Sequence, residues 1–366
     1  MRNDKPDADP GGDSPAHVTG LERSAQQGSR WRPARYAIGA LCALGAVYAC
    51  AVNVEWTQVL DAFHGASLPW TVAAAASVLL TLALVTLRWG LLAGAGPSTG
   101  HDVRTGRRGS RWRILWDSVV LGQAVNIIVP LRFGEGTRVA LTCGRLDVPV
   151  GRVMVGLALE RAFDVAAFAT IVLILIVSGW MPDAFHGLLP AAATVTLATM
   201  GVALLSVQFL PGVLAWLRRR VGVLAPAAAW METQESAMRD GWTDVTRRDQ
   251  LAMTALLTAL IPVTAAGTNL LVLRGFGLPV PAITAFVLLV VLQIGTAVVS
   301  VPGNIGVFHY LTVVTLAAWG VSRPTAIATA IVLHAVSLGP KVLLGALTTT
   351  VWRESQPRLG GHSVLK

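Results

Sequence analysis

Residues Ile114–Leu131 read ILWDSVVLGQAVNIIVPL: apolar enough to enter a membrane, yet interrupted by Asp117, Gln123, Asn126 and Pro130. Both flanks are basic. Arg104, Arg107, Arg108, Arg111 and Arg113 precede the block, and Arg132, Arg138, Arg145 and Arg152 follow it. Cytoplasmic segments of membrane proteins carry the excess of Lys and Arg. One crossing cannot leave both flanks on the same side, whereas a segment that dips into the membrane and returns can. Broken backbone at membrane depth persists only where protein or a water-filled cavity covers it. A re-entrant segment over 114–135, lining a cavity, is therefore expected.

Outward from this block, the apolar pattern repeats along the chain. A membrane helix needs ~20 mostly apolar residues. Candidates run over Tyr36–Val54, Trp70–Ala93, Val153–Ser178, Leu188–Leu210, Leu251–Leu273, Ala282–Val301, Ile305–Gly320 and Ala326–Val351. The connections alternate in charge. Residues 55–69 and 180–187 hold no Lys or Arg, while 211–250 holds Arg218, Arg219, Arg220, Arg239, Arg247 and Arg248. The amino terminus, 94–113, 132–152, 211–250 and the carboxy terminus are expected in the cytoplasm, with the chain in the inner (plasma) membrane.

Composition agrees. Of the 366 residues 54% are hydrophobic and 13% charged, against about 25% charged in soluble domains. Mean hydropathy is +0.60. The net charge of +9 falls between apolar blocks. It reads as a topology signal and a contact for anionic headgroups, not as a nucleic-acid surface. Cys42, Cys50 and Cys143 form no CxxC or His/Cys cluster, so no disulfide framework, metal or redox cofactor is expected. Residues 1–35, rich in Pro, Gly, Asp and Arg, read as a disordered cytoplasmic tail without a signal peptide. The membrane domain is expected over 36–352 and a short tail over 353–366.

A second interruption lies at Pro302-Gly303-Asn304-Ile305-Gly306. Residues 282–320 are either a re-entrant pair or two crossings. The two breaks share a pattern: Val129-Pro130 precedes Gly134 as Val301-Pro302 precedes Gly306. Gln123 and Asn126 precede the first break at helical spacing, and Gln293, Thr296 and Ser300 precede the second. The fold expected is all-α: a polytopic helix bundle with two broken elements and a possible inverted repeat. Paired interrupted segments point to a transporter with a mid-membrane site.

Charges inside the hydrocarbon layer cost ~2.5–3.5 kcal/mol each on an insertion scale. Glu160, Arg161 and Asp164 lie in one apolar block; they are either a polar cluster facing a substrate or an ion pair that fixes packing. Arg132, Glu135 and Arg138 follow the first break, where two guanidiniums suit a phosphate and Glu135 can pair with Arg138 if a helix restarts. Arg88 is expected to snorkel to the surface. Lys341, after Gly339-Pro340, is either a substrate contact or a partner for an acid. His309 and His334 are expected to be packing residues. GxSxG, Walker and HExxH motifs are absent, so no catalytic residue is assigned.

Three stretches carry a family likeness: Asn126–Arg138 (NIIVPLRFGEGTR), Glu160–Asp164 (ERAFD) and Val301–Phe308 (VPGNIGVF). Their order and spacing resemble those of the lysylphosphatidylglycerol synthase transmembrane-region family, flippase-like integral membrane proteins. The first signature there often reads Pro-Gly-Arg; Leu131 stands here in the place of that glycine. The resemblance implies a helical bundle with re-entrant elements that moves a phospholipid or glycolipid between leaflets, without the soluble synthase domain. The expected site combines Arg132, Glu135, Arg138, Glu160, Arg161, Asp164, Asn126, Gln123, Asn304 and Lys341 with the breaks at Pro130, Gly134, Pro302, Gly303 and Gly306. The expected partner is an anionic phospholipid or lipid-linked glycan, together with a separate synthase or glycosyltransferase. Two other readings stand: a membrane-embedded transferase on a lipid carrier, with Glu135 or Asp164 as base, and a non-transporting partner of a separate lipid-modifying enzyme.

Overall fold

A computed structural model describes residues 41–52, 54–94, 108–129, 133–179, 194, 225–298 and 301–355. The expected tail 1–35, most of the apolar block 188–210, Pro130, Leu131, Arg132, Ser300 and residues 356–366 lie outside them. The described residues form helices α1 (Leu41–Ala51), α2 (Trp56–His64), α3 (Leu68–Leu92), α4 (Arg108–Ile128), α5 (Phe133–Leu146), α6 (Val150–Val177), α7 (Ala225–Val245), α8 (Arg248–Gly275), α9 (Thr284–Val298), α10 (Val307–Ala317) and α11 (Arg323–Ser355). No strand occurs among them. Among the described residues three helices are long and apolar enough to cross a membrane: α3, α8 and α11 through Thr350.

The frame is the antiparallel pair α3 and α8. The Ser67 amide donates to Gly275 O at 2.8 Å, at one end of the bundle. Ser77 Oγ donates to Thr264 O at 2.9 Å midway, and Thr268 Oγ1 donates to Ser77 Oγ at 3.1 Å. Small hydroxyl residues let two helices approach closely and add hydrogen bonds across the contact. Pro262 lies inside α8. It removes the amide that would have bonded the carbonyl one turn earlier, a standard cause of helix bending. The end carrying Arg88 and Arg248 is called the basic end below, and the end carrying Ser67 and Gly275 the far end.

Helices α4 and α5 form a hairpin that starts and finishes at the basic end. Leu115, Val119, Val139, Cys143 and Leu146 pack together with Trp89 and Ala93. A Cβ on Gly134 would overlap the Gly122 carbonyl, so the two backbones approach more closely than side chains allow. Asn126 Oδ1 accepts the Gly134 amide at 2.8 Å and joins the two arms just below the turn.

Helices α9 and α10 form a second hairpin, from the far end. Ile283, Phe286 and Val287 at the start of α9 cluster with Trp319, just beyond α10. Ala285 lies with Val313, Leu316, Leu273 and Leu278. The helices hold 15 and 11 residues, or about 22 and 16 Å at 1.5 Å per residue. Neither spans a ~30 Å hydrocarbon layer. Of the two possibilities for 282–320, the structure adopts the folded-back pair. Its turn is the short 3₁₀ segment Pro302–Asn304, where Gly303 (φ 62°) and Asn304 (φ 54°) adopt left-handed backbone. Gly306 (φ 85°) packs against the Ala43 carbonyl of α1, at 2.5 Å from where a Cβ would stand.

α11 runs from the far end to the basic end and touches both hairpins. Ala326, Ile327 and Ala328 join the far-end core, Leu333 and Val336 pack with Ala74 and Val78, and Leu344 reaches the cluster around Trp89. The helices α2, α5 and α7 add to the sequence expectation, which treated their residues as connections. Each is short or too polar to read as a span. α7 packs against α6, where the Gly151 amide donates to Gln234 Oε1 at 2.6 Å and Arg152 pairs with Asp244.

Candidate functional site

Two polar features stand in this apolar bundle. The first is an ion network where α3, α5 and α6 meet. Helical spacing assembles it: Glu135, Arg138 and Thr142 fall on one face of α5, and Glu160 and Asp164 on one face of α6. Glu160 lies between two arginines. Arg88 Nη2 donates to its Oε1 at 3.1 Å, and Arg138 Nη1 donates to the same oxygen at 3.2 Å. Arg138 Nη2 also pairs with Glu160 Oε2. Arg88 Nη1 reaches Asp164 Oδ1 at 2.6 Å and Thr258 Oγ1 of α8 at 3.2 Å. Arg161 closes the outer edge, with Nη2 at 2.8 Å from Glu135 Oε1 and Nη1 at 3.3 Å from Asp164 Oδ2.

Three guanidiniums thus meet three carboxylates, and the formal charges cancel. The centre is dry: Arg88 and Glu160 are each 2% exposed and Arg138 5%. The edge is not. The side chains of Glu135, Asp164 and Arg161 are 25%, 33% and 38% exposed. Arg138 is held further by Trp89, whose ring lies 3.9 Å below its guanidinium carbon. Trp89 Nε1 donates to Thr142 Oγ1 at 3.0 Å, and that hydroxyl donates to the Arg138 carbonyl at 2.8 Å. A buried charge persists only when paired and hydrogen-bonded; here the Nη atoms of Arg88 and Arg138 meet carboxylates, while their Nε atoms find no hydrogen-bond partner among the described residues.

Two expectations are corrected here. Arg88 does not snorkel: α5 and α6 cover it, and two carboxylates offset its charge. Glu135 and Arg138 do not pair within α5, because Glu160 and Arg161 of α6 offer each a closer partner. Arg88, Trp89, Thr142 and Thr258 were missed as members of the network. The signal for Arg88 was present: an arginine in an apolar helix without a nearby acid requires a partner from elsewhere in the fold.

The second feature is the place where the two hairpin tips meet. α4 packs directly against the Pro302–Asn304 turn. His334 of α11 contacts the same turn, with Nε2 2.8 Å from Gly303 O. Its ring lies 4.8 Å from Phe308 and 4.7 Å from His309. Further along α11, Gly345 packs on Ala124 of α4, where a Cβ would overlap the alanine side chain. Lys341 lies between them. It is half-buried and makes no hydrogen bond or ion pair with a described residue. Gln123, Asn126 and Asn304 are also half-buried near the tips. The site residues expected from sequence therefore divide. Glu135, Arg138, Glu160, Arg161 and Asp164 join the ion network, Asn126, Gly134, Pro302, Gly303, Gly306 and Asn304 belong to the hairpin turns and their packing, and Arg132 and Pro130 lie outside the described residues.

These features define an all-α membrane helix bundle with two folded-back helical hairpins. The profile of the family described as Lysylphosphatidylglycerol synthase TM region matches residues 36–345, and the chain belongs to that family. Membership ties it to a lipid-related function in the membrane. No curated protein and no solved structure matches the chain.

Proposed function

We propose that the protein moves a phospholipid or glycolipid headgroup between membrane leaflets, with the acyl chains remaining in the bilayer. One observation carries this reading: two interrupted hairpins enter the bundle from opposite ends, and the tip of one packs on the turn of the other. Broken segments that meet inside a membrane are the usual setting of a transporter's polar site. The basic end faces the cytoplasm of a plasma membrane by the distribution of arginines. On this reading the half-exposed edge of the ion network receives the headgroup phosphate, and Arg132, which precedes α5 in the sequence, is a second phosphate ligand. Arg161 is the accessible guanidinium of that edge, and Glu135 orders it. Arg138 is committed to Glu160 at rest, so a phosphate gains it only by displacing that carboxylate. Glu160 and Asp164 form the polar floor, and Gln123, Asn126 and Asn304 line the way toward the tips.

The test is reconstitution into vesicles containing a trace of phospholipid labelled on its headgroup-proximal chain. A membrane-impermeant reductant bleaches only the outer leaflet, and about half the signal survives in protein-free vesicles. The expected result is bleaching beyond that half. Full retention of the protected fraction, across anionic, zwitterionic and glycosylated lipids, removes the proposal.

A further inference from the structure

The ion network is balanced, but Lys341 meets no counter-charge among the described residues. Three residues of α11 fix where it lies. His334, Lys341 and Gly345 are spaced seven and four apart. At 100° per residue they fall within about 40° of one stripe along the helix. The first of them contacts the turn of the second hairpin, and the last packs on α4 of the first hairpin. Lys341 therefore lies on the face turned toward both tips, about 10 Å from the level of His334 and 6 Å from that of Gly345. No carboxylate among the described residues comes within ion-pair distance of it.

A cation kept inside an apolar bundle without a counter-ion costs stability, and such a cost is retained where a ligand makes use of it. The choice of lysine fits a transient guest. An ammonium is a flexible point charge, whereas guanidinium holds a phosphate through two parallel bonds. We infer that Lys341 is the anion-binding residue at the junction of the two hairpins, and that its ligand carries a phosphate. This rests on the transport reading and narrows its substrate to phosphate-bearing lipid. The ligand chemistry is a phosphate oxyanion, carried as the phosphodiester of a lipid headgroup or as free inorganic phosphate.

The experiment uses the full chain in detergent and in vesicles, as wild type, Lys341→Met and Lys341→Arg. Thermal unfolding is measured first, without added lipid. Removing an unpaired cation is expected to leave the midpoint unchanged or higher; a lower midpoint would reveal a hidden structural partner and overturn the assignment. Binding is then read with spin-labelled phosphatidylglycerol, and with an uncharged glycosyl diacylglycerol carrying the same label. The expected result is a loss of phosphatidylglycerol binding of about tenfold or more in Lys341→Met, retention in Lys341→Arg, and no change for the uncharged lipid. Equal binding of phosphatidylglycerol by wild type and Lys341→Met overturns the inference. Competition by millimolar inorganic phosphate marks free phosphate as a ligand of the same residue; its failure to compete marks the lipid. Binding is scored separately from leaflet exchange, so a protein that binds through Lys341 but moves nothing defeats the transport reading alone.

Discussion

The two hairpins solve one problem in different ways. Each turns back inside an apolar bundle and must satisfy backbone groups freed at its turn. The first, α4–α5, is clasped by polar groups of its own: Asn126 accepts the Gly134 amide, and Arg138 and Glu135 tie the returning helix to α6. The second, α9–α10, has apolar arms. Its turn carbonyl at Gly303 is met from outside, by His334 of α11. Their close contacts differ too. Gly134 faces a backbone carbonyl, whereas a Cβ on Gly295 of α9 would meet only the side chain of Leu311. The first hairpin is fastened by charges to the helices around it, and the second is shaped by packing and by one hydrogen bond from a neighbour. Glycine allows the close approach at the first hairpin and the left-handed turn at the second; the surroundings decide what holds each.

That contrast can be broken most forcefully at Glu160. Glu160→Ala leaves Arg88 and Arg138 without their shared carboxylate, and removing one partner of a buried pair costs about 3–5 kcal/mol. Denaturant unfolding in mixed micelles should show a loss of that size. Replacing Glu160 by Gln together with Arg138 by Met removes both charges, leaves Arg88 its bond to Asp164, and should cost less than the single alanine change. A double variant as unstable as the single one would mean that charge pairing does not hold α5 in place.

A smaller effect is expected at the glycine contacts. Gly134→Ala drives a methyl into the Gly122 carbonyl and to 2.7 Å from the Asn126 side chain, an overpacking cost of about 1–3 kcal/mol. Gly295→Ala should cost less, since Leu311 can change rotamer. Gly136, two residues from Gly134, has open space where a Cβ would stand. Gly136→Ala is expected to gain about 0.5–1 kcal/mol as a helix-interior glycine replaced by alanine. Unfolding midpoints in that order sharpen the comparison, and equal losses at 134 and 295 would erase it.

The smallest expected effect tests the second hairpin. His334→Leu removes the bond to the Gly303 carbonyl but keeps the apolar contact with Phe308. One hydrogen bond of this kind contributes about 1 kcal/mol. Amide exchange in 301–306 should rise while that of α5 stays unchanged. Faster exchange in both hairpins would show that the tips act as one unit.

Much of this architecture was legible in the sequence, and Arg132–Arg138 shows where legibility stopped. The basic flanks of Ile114–Leu131 predicted a segment that returns to its own side, and α4–α5 does return. Spacing placed Glu160 and Asp164 on one face, and they share a guanidinium. Local spacing also suggested a Glu135–Arg138 pair, which was the wrong partnership. Side chains three or four residues apart compete with any group that tertiary packing brings closer. α2 and α7 escaped notice because short or polar helices lack the apolar run by which membrane spans are read.

The sequence by itself determined the membrane class, the places where helices must break and the presence of charges that need partners. Those are properties of single residues and their near neighbours, set by transfer into apolar surroundings and by what Pro and Gly do to a backbone. Only the tertiary structure decided which charges cancel. Arg88 and Glu160 are 72 residues apart in the chain and 3.1 Å apart in the fold, while Lys341 meets no counter-charge among the described residues. Electrostatic pairing depends on distance in space, and distance in space is set by how the helices pack.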